Sequence, residues 1–136
     1  MVTPKNNHEL FSDMIQKIRH KINLKAVILF GSRAKGDAKF YSDFDLVIIG
    51  DFQMPFLERI KWVLWQTPSV PVDVFCYTPK EFDKMFHSYH LTAIDAIGEG
   101  VVLFGKDFVK AYKKHYENFV KHGMRKTDCT LVPPSF

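Results

Sequence analysis

Two aspartates and a glycine-serine pair carry the chemistry open to this sequence. Asp43 and Asp45 stand at the head of the apolar run Leu46 to Ile49. If that run is a strand, alternation sends both carboxylates to one face, roughly 7 Å apart along the backbone, and Phe44 to the other. Two anions so held repel by about 2 kcal/mol at an effective dielectric near 20, so something cationic must compensate. Oxygen-only ligands on a firm strand suit Mg2+ or Mn2+, and paired carboxylates that can each reach two ions form the core of a two-metal site. Upstream, Gly31 permits close backbone approach, Ser32 offers a hydroxyl and an amide, and Arg33 and Lys35 add positive charge. Metals beside an anion cradle suit a nucleoside triphosphate.

Each of these residues alone has a plainer reading. An Asp near a Ser-rich loop is commonly a turn or cap residue, and Gly-Ser is a frequent loop dipeptide. The run Gly31 to Gly36 is not a Walker loop, because no Gly-Lys-Ser/Thr follows and the next segment is too polar for a packing helix. The combination is more specific: Gly31-Ser32, ten residues, then Asp43-Phe44-Asp45 resembles the Gly-Ser-x10-Asp-x-Asp signature of the DNA polymerase beta nucleotidyltransferase superfamily. The short chain is similar to the minimal nucleotidyltransferases (MNT proteins), many of them antitoxins. The resemblance calls for a third carboxylate on a later strand, which Asp73 supplies within Val70 to Cys76. It is dense over residues 26–76 and looser beyond.

The resemblance implies Asp43, Asp45 and Asp73 as catalytic metal ligands for two Mg2+ ions, with Mn2+ as a substitute. Ser32 and the Gly31 and Ser32 amides would hold the β- and γ-phosphates of ATP, with Arg33 or Lys35 neutralising pyrophosphate. It also implies transfer of a nucleoside monophosphate, AMP by family habit, to a hydroxyl acceptor, foremost a tyrosine of a separate HEPN-type toxin. The alternatives are transfer to a small molecule or RNA, and a non-catalytic protein that senses nucleotide or caps a partner.

The elements that must position these groups follow from the apolar pattern. Ala26 to Phe30 and Leu46 to Ile49 read as two buried strands joined by the polar loop, and Val70 to Cys76 as a third. Asn6 or Asn7 would cap a helix from His8 whose stripe is Phe11, Met14, Ile15, Ile18 and Ile22. Pro55 opens a helix to about Gln66, with Phe56, Leu57, Ile60, Val63, Leu64 and Thr67 expected in the core and Trp62 and Trp65 opposite, as core cover or partner surface. Thr78-Pro79-Lys80-Glu81 reads as a capping box opening one bent helix or two short ones as far as Ile97. Val101 to Phe104 is an edge strand, and Lys106 to His122 a last helix stopped by Gly123.

A chain of 136 residues with 46% apolar content and 13 Phe suits a single domain, expected over 1–123 with a flexible tail over 124–136. The expected fold class is α+β: a nucleotidyltransferase fold with a mixed, twisted sheet of about four strands, helices mainly on one face, and the carboxylate face left open. Net charge of +4 attracts phosphates without amounting to a nucleic-acid signature, which leaves nucleic acid undecided. Two cysteines, Cys76 and Cys129, provide neither a disulfide framework nor a zinc spacing, and His87, His90, His115 and His122 share no ligand spacing. No signal peptide or long apolar span is present, so the expectation is a cytoplasmic protein with no membrane partner and room for a homo-oligomer.

Overall fold

Asn6 behaves as its sequence context predicts: its side chain accepts from the Glu9 N–H at 2.9 Å and starts helix α1 (Asn7–Lys21). The computed structural model describes residues 6–35, 43–127 and 130–136. Strand β1 (Leu24–Phe30) follows, then a single helical turn α2 (Ser32–Lys35), where sequence reading expects only loop. Next come β2 (Phe44–Gly50), α3 (Phe56–Leu64) and β3 (Val72–Tyr77). The Thr78–Glu81 capping box is present, with Pro79 in the first turn of α4 (Pro79–His87), and the predicted bend resolves into a separate α5 (Leu91–Glu99). Strand β4 (Val101–Phe104), helix α6 (Lys106–Lys121) and a two-residue hairpin of β5 (Arg125–Lys126) and β6 (Leu131–Val132) complete the described chain.

The main sheet has the order β3-β2-β1-β4, with β1 antiparallel to β2 and β4, and β2 parallel to β3. This is the expected mixed four-stranded α+β sheet, with β4 at the edge. Its two central strands are apolar over 26–30 and 46–49 because both of their faces are buried there. Val27, Leu29, Leu46 and Ile48 pack with Phe11, Met14, Ile15 and Ile18 of α1 and Val63 of α3. Ala26, Ile28, Val47 and Ile49 pack with Phe82, Phe86, Ile94, Ile97, Val109 and Phe119 of α4, α5 and α6. The helices therefore cover both faces. The face expected to lie open is roofed by α4–α6 along its middle, since Val47 and Ile49 are apolar there and need a cover; only the end with the carboxylates departs from apolar character.

Helix α3 corrects the expected stripe. Val63 is buried as predicted, but Leu57 is 71% and Leu64 41% exposed, and Arg59 is buried instead. Relative to the sequence wheel the helix is turned by roughly 80°, taking 100° per residue. The cause is a local polar network: the Arg59 guanidinium donates to the Glu81 carboxylate at 2.7 Å, the Met54 carbonyl at 2.9 Å and the Cys76 carbonyl at 3.4 Å, beside the rings of Phe52 and Phe56. Trp62 follows it inward, edge-on to Phe52 with centroids 6.3 Å apart, while Trp65 is 88% exposed. The two tryptophans thus part company. Burial pushes the neighbouring Cys76 thiol up to about 12, with Arg59 opposing, so it stays protonated.

The stretch expected as a loose tail carries specific contacts. Met124 is buried, Lys126 sits 2.9 Å from Asp95 Oδ1, the Ser135 N–H donates to the His122 carbonyl, and the Phe136 ring lies 4.6 Å from that of His122. Cys129 lies outside the described residues.

Glu81 links α4 to α3 and is pH-sensitive. Burial alone would raise its carboxyl, but the Thr78 N–H and then the Arg59 guanidinium outweigh this and hold it below the ordinary 4.5. The unfolded chain therefore takes up the proton first, and the contribution of Glu81 is complete above about pH 4.5 and lost as pH falls through the lower native value. Urea denaturation between pH 3 and 7 should show this slope in the wild type and a flattened one in Glu81→Gln; equal slopes would remove Glu81 from the account.

Candidate metal and nucleotide site

The site is assembled where β1 ends and β2 and β3 begin. Parallel pairing sets Asp45 directly opposite Asp73, and antiparallel pairing sets Asp45 opposite Phe30, the residue before Gly31. Adjacent strands lie about 4.8 Å apart, so two carboxylates 28 residues distant in sequence emerge side by side on one face. That face is the one Val47 and Phe75 share, on the side of α4–α6. Phe44 points the other way and is buried edge-on against Phe11, with centroids 5.3 Å apart, which anchors the start of β2. The Phe44 N–H donates to the Pro71 carbonyl at 2.8 Å, tying that start to the segment entering β3.

Asp43 and Asp73 are exposed and Asp45 is half-buried. Burial, then the Asp73 charge, then the Asp43 charge hold the Asp45 carboxyl above the ordinary aspartate range. The charges of both neighbours therefore act on Asp45. Among the described residues no group of three His, Cys, Asp or Glu side chains is placed to hold a metal ion by itself. Carboxylates at an open strand end fit instead a hard cation that takes the rest of its oxygen shell from substrate or water, as Mg2+ usually does.

Gly31 forms the floor of this site. Its φ is +78°, and a Cβ there would lie 2.6 Å from Asp45 Oδ2, closer than real Cβ contacts permit. Only glycine lets the turn pass this close to the carboxylate. The Ala34 N–H donates back to the Gly31 carbonyl at 3.1 Å, starting α2. Of the cradle residues, the side chains of Ser32 and Lys35, and residues 36–42 entirely, lie outside the described residues. Arg33 places its guanidinium 4.3 Å from the centroid of the Phe44 ring, on the sheet face opposite Asp45. Sequence reasoning missed Arg59 and its partner Glu81, because the capping-box role of Glu81 already accounted for that residue.

A glycine turn whose backbone meets the Asp45 carboxylate, with Asp73 in register beside it on a mixed β3-β2-β1-β4 sheet, is the arrangement that the nucleotidyltransferase resemblance calls for. The chain belongs to the polymerase beta nucleotidyltransferase family, whose profile matches residues 12–109. It is 29% identical over 89 residues to a protein named as a protein adenylyltransferase in Methanocaldococcus jannaschii, a match covering 65% of this chain and 86% of that one. Its fold is similar to a toxin-antitoxin crystal structure with AMP-PNP, at TM-score 0.56 and 17% identity, covering 85% of this chain and 88% of the other. It is also similar to a nucleotidyltransferase from Sulfolobus solfataricus, at TM-score 0.50 and 22% identity over 70% and 77% of the two chains. Among the described residues no helix is long and apolar enough to cross a membrane.

Two substitutions test the site. Asp45→Asn without metal should keep the fold and raise the melting temperature, by about 4 °C for each kcal/mol of repulsion relieved. Adding Mg2+ and ATP should then stabilise the wild type and not the variant. Gly31→Ala should cost about 1–3 kcal/mol from the positive φ and displace Asp45. An equal Mg2+-ATP shift in all three proteins, followed by thermal unfolding, would remove Asp45 and Gly31 from the site.

Proposed function

We propose that this chain transfers AMP from ATP to a tyrosine hydroxyl of a separately encoded HEPN-type protein, acting as its antitoxin. The observation that carries the catalytic half is the in-register pairing of Asp45 with Asp73 against the Gly31 backbone. Mg2+ ions held by Asp43, Asp45 and Asp73, with Mn2+ able to replace them, would neutralise the triphosphate and make the acceptor hydroxyl more acidic. The chain supplies position: Gly31 and Ser32 present backbone N–H groups to the β- and γ-phosphates, and the strand ends fix the carboxylates about the α-phosphate. Arg33 and Lys35 are the cations nearest in sequence to Gly31 and Ser32, and the Arg33 guanidinium lies beside Phe44, on the sheet face opposite Asp45. The acceptor oxygen bonds to the α-phosphorus as the bond to pyrophosphate breaks, and the hydroxyl proton passes to water at the exposed Asp73 edge.

The acceptor half draws on the adenylyltransferase relative and on the toxin-antitoxin structure with AMP-PNP. A protein acceptor also suits an exposed site, because a docked partner brings its own surface to it. The test is to co-express the chain with the HEPN protein encoded beside it and weigh that protein by mass spectrometry. Addition of one or more AMP units, abolished by Asp45→Asn, is the expected result. Label from α-phosphate entering RNA or a small molecule instead would reassign the acceptor, and toxin neutralisation by Asp45→Asn with no label anywhere would favour a binding protein.

A further inference from the structure

Two phenylalanine rings stand at the apolar end of the carboxylate site. Register places Phe30, Asp45 and Asp73 in one row across the sheet, on one face, and Ile28, Val47 and Phe75 in the next row on that face. Ile28 and Val47 are fully buried in the core shared with α4–α6, whereas Phe30 and Phe75 are only partly buried. Their rings meet edge to face with centroids 5.6 Å apart, diagonally across the step from Asp45 to Val47. The pair therefore lies where the helical cover stops, with the core behind it and the exposed Asp73 two residues before Phe75 on the same strand.

Strand order decides which reactant meets Phe75. In phosphoryl transfer the attacking and leaving oxygens stand roughly in line through the phosphorus. With pyrophosphate leaving toward the Gly31 turn at the end of β1, and the phosphorus held between Asp45 and Asp73, the entering oxygen comes from the β3 side, over Asp73. Phe75 follows Asp73 on that face at about 7 Å along the strand. Aromatic rings attract edge to face at centroid separations of about 4.5–7 Å. An acceptor whose hydroxyl is carried on a ring can thus rest that ring on Phe75 while its oxygen lies over Asp73. A serine or threonine hydroxyl brings no ring to that surface. Tyr77, the next residue of β3 on this face, is already engaged, its ring turned to Phe56 of α3 with centroids 6.0 Å apart.

We propose that Phe75, braced by Phe30, receives the aromatic ring of the acceptor and selects a phenolic hydroxyl over an aliphatic one. This rests on the transfer of AMP to a protein tyrosine proposed above. The test follows AMP addition to the HEPN protein encoded beside this chain by mass spectrometry, with the tyrosine it modifies either kept or replaced by serine. The wild type should label the tyrosine form and leave the serine form at least a hundredfold slower. Phe75→Leu and Phe75→Met, which keep apolar cover without a ring, should lower kcat/KM for the tyrosine form at least tenfold, and Phe75→Trp should restore it to within threefold. The rise in melting temperature with Mg2+ and ATP, and the KM for ATP, should match the wild type in all three variants. Transfer to serine within tenfold of tyrosine overturns the proposal, as does a Phe75→Leu or Phe75→Met protein as active as the wild type. Loss of the Mg2+-ATP thermal shift in these variants also overturns it, since the ring then carries the nucleotide base. A wild type that labels no tyrosine overturns the acceptor reading itself, whereas tyrosine labelling indifferent to Phe75 removes only the role given to this ring.

Discussion

Like charges held together by backbone hydrogen bonds are the constraint on which this fold turns. Asp45 and Asp73 occupy matched positions on adjacent parallel strands, and the field of Asp43 reaches the same point. The repulsion cannot relax by side-chain motion alone, since β2 and β3 are pinned by six register pairs and by Phe44 in the core. A structure that keeps such a pair must offset it elsewhere, and the apolar packing of β1 and β2 on both faces provides the rigidity. The packing in the middle of the sheet offsets the unfavourable charge held at its end.

The same logic separates the two sides of the molecule. Where β2 runs on from Asp45 into Val47 and Ile49, helices α4 to α6 close over it; where it begins, no apolar residue invites a cover. Gly31 completes the division, bringing main chain rather than side chain against the Asp45 carboxylate. On the other face Phe11 and Phe44 close the core directly behind the site, so the carboxylates rest on a packed floor. Membership of the polymerase beta nucleotidyltransferase family accords with this division of labour, in which the protein fixes position and oxygen ligands carry the charge.

Helix α3 shows how one buried polar group can outrank an apolar stripe. Its sequence wheel favours burying Leu57 and Leu64, yet the guanidinium of Arg59 reaches a carboxylate and two backbone carbonyls only when it faces inward. A buried cation without those partners would be far more costly than two leucines left in water. The surface that results, with an exposed tryptophan beside a lysine, is a consequence of that choice and not of the local pattern.

What the sequence determined by itself is whatever depends on neighbours a few residues apart. The apolar runs within β1 and β2, the Asn6 cap and the Thr78–Glu81 capping box all follow from local period and local hydrogen bonding. The acidic motif was legible for the same reason, because residue type and spacing alone carry it. Tertiary structure alone decided that Asp73 pairs with Asp45, that both sheet faces are covered, that Trp62 packs inward while Trp65 stays out, and that Met124 and Lys126 dock on the body. Each of these depends on a partner distant along the chain, as Arg59 depends on Glu81. Side-chain period can say that a helix has a face, but only the location of its hydrogen-bonding and packing partners says which way that face turns.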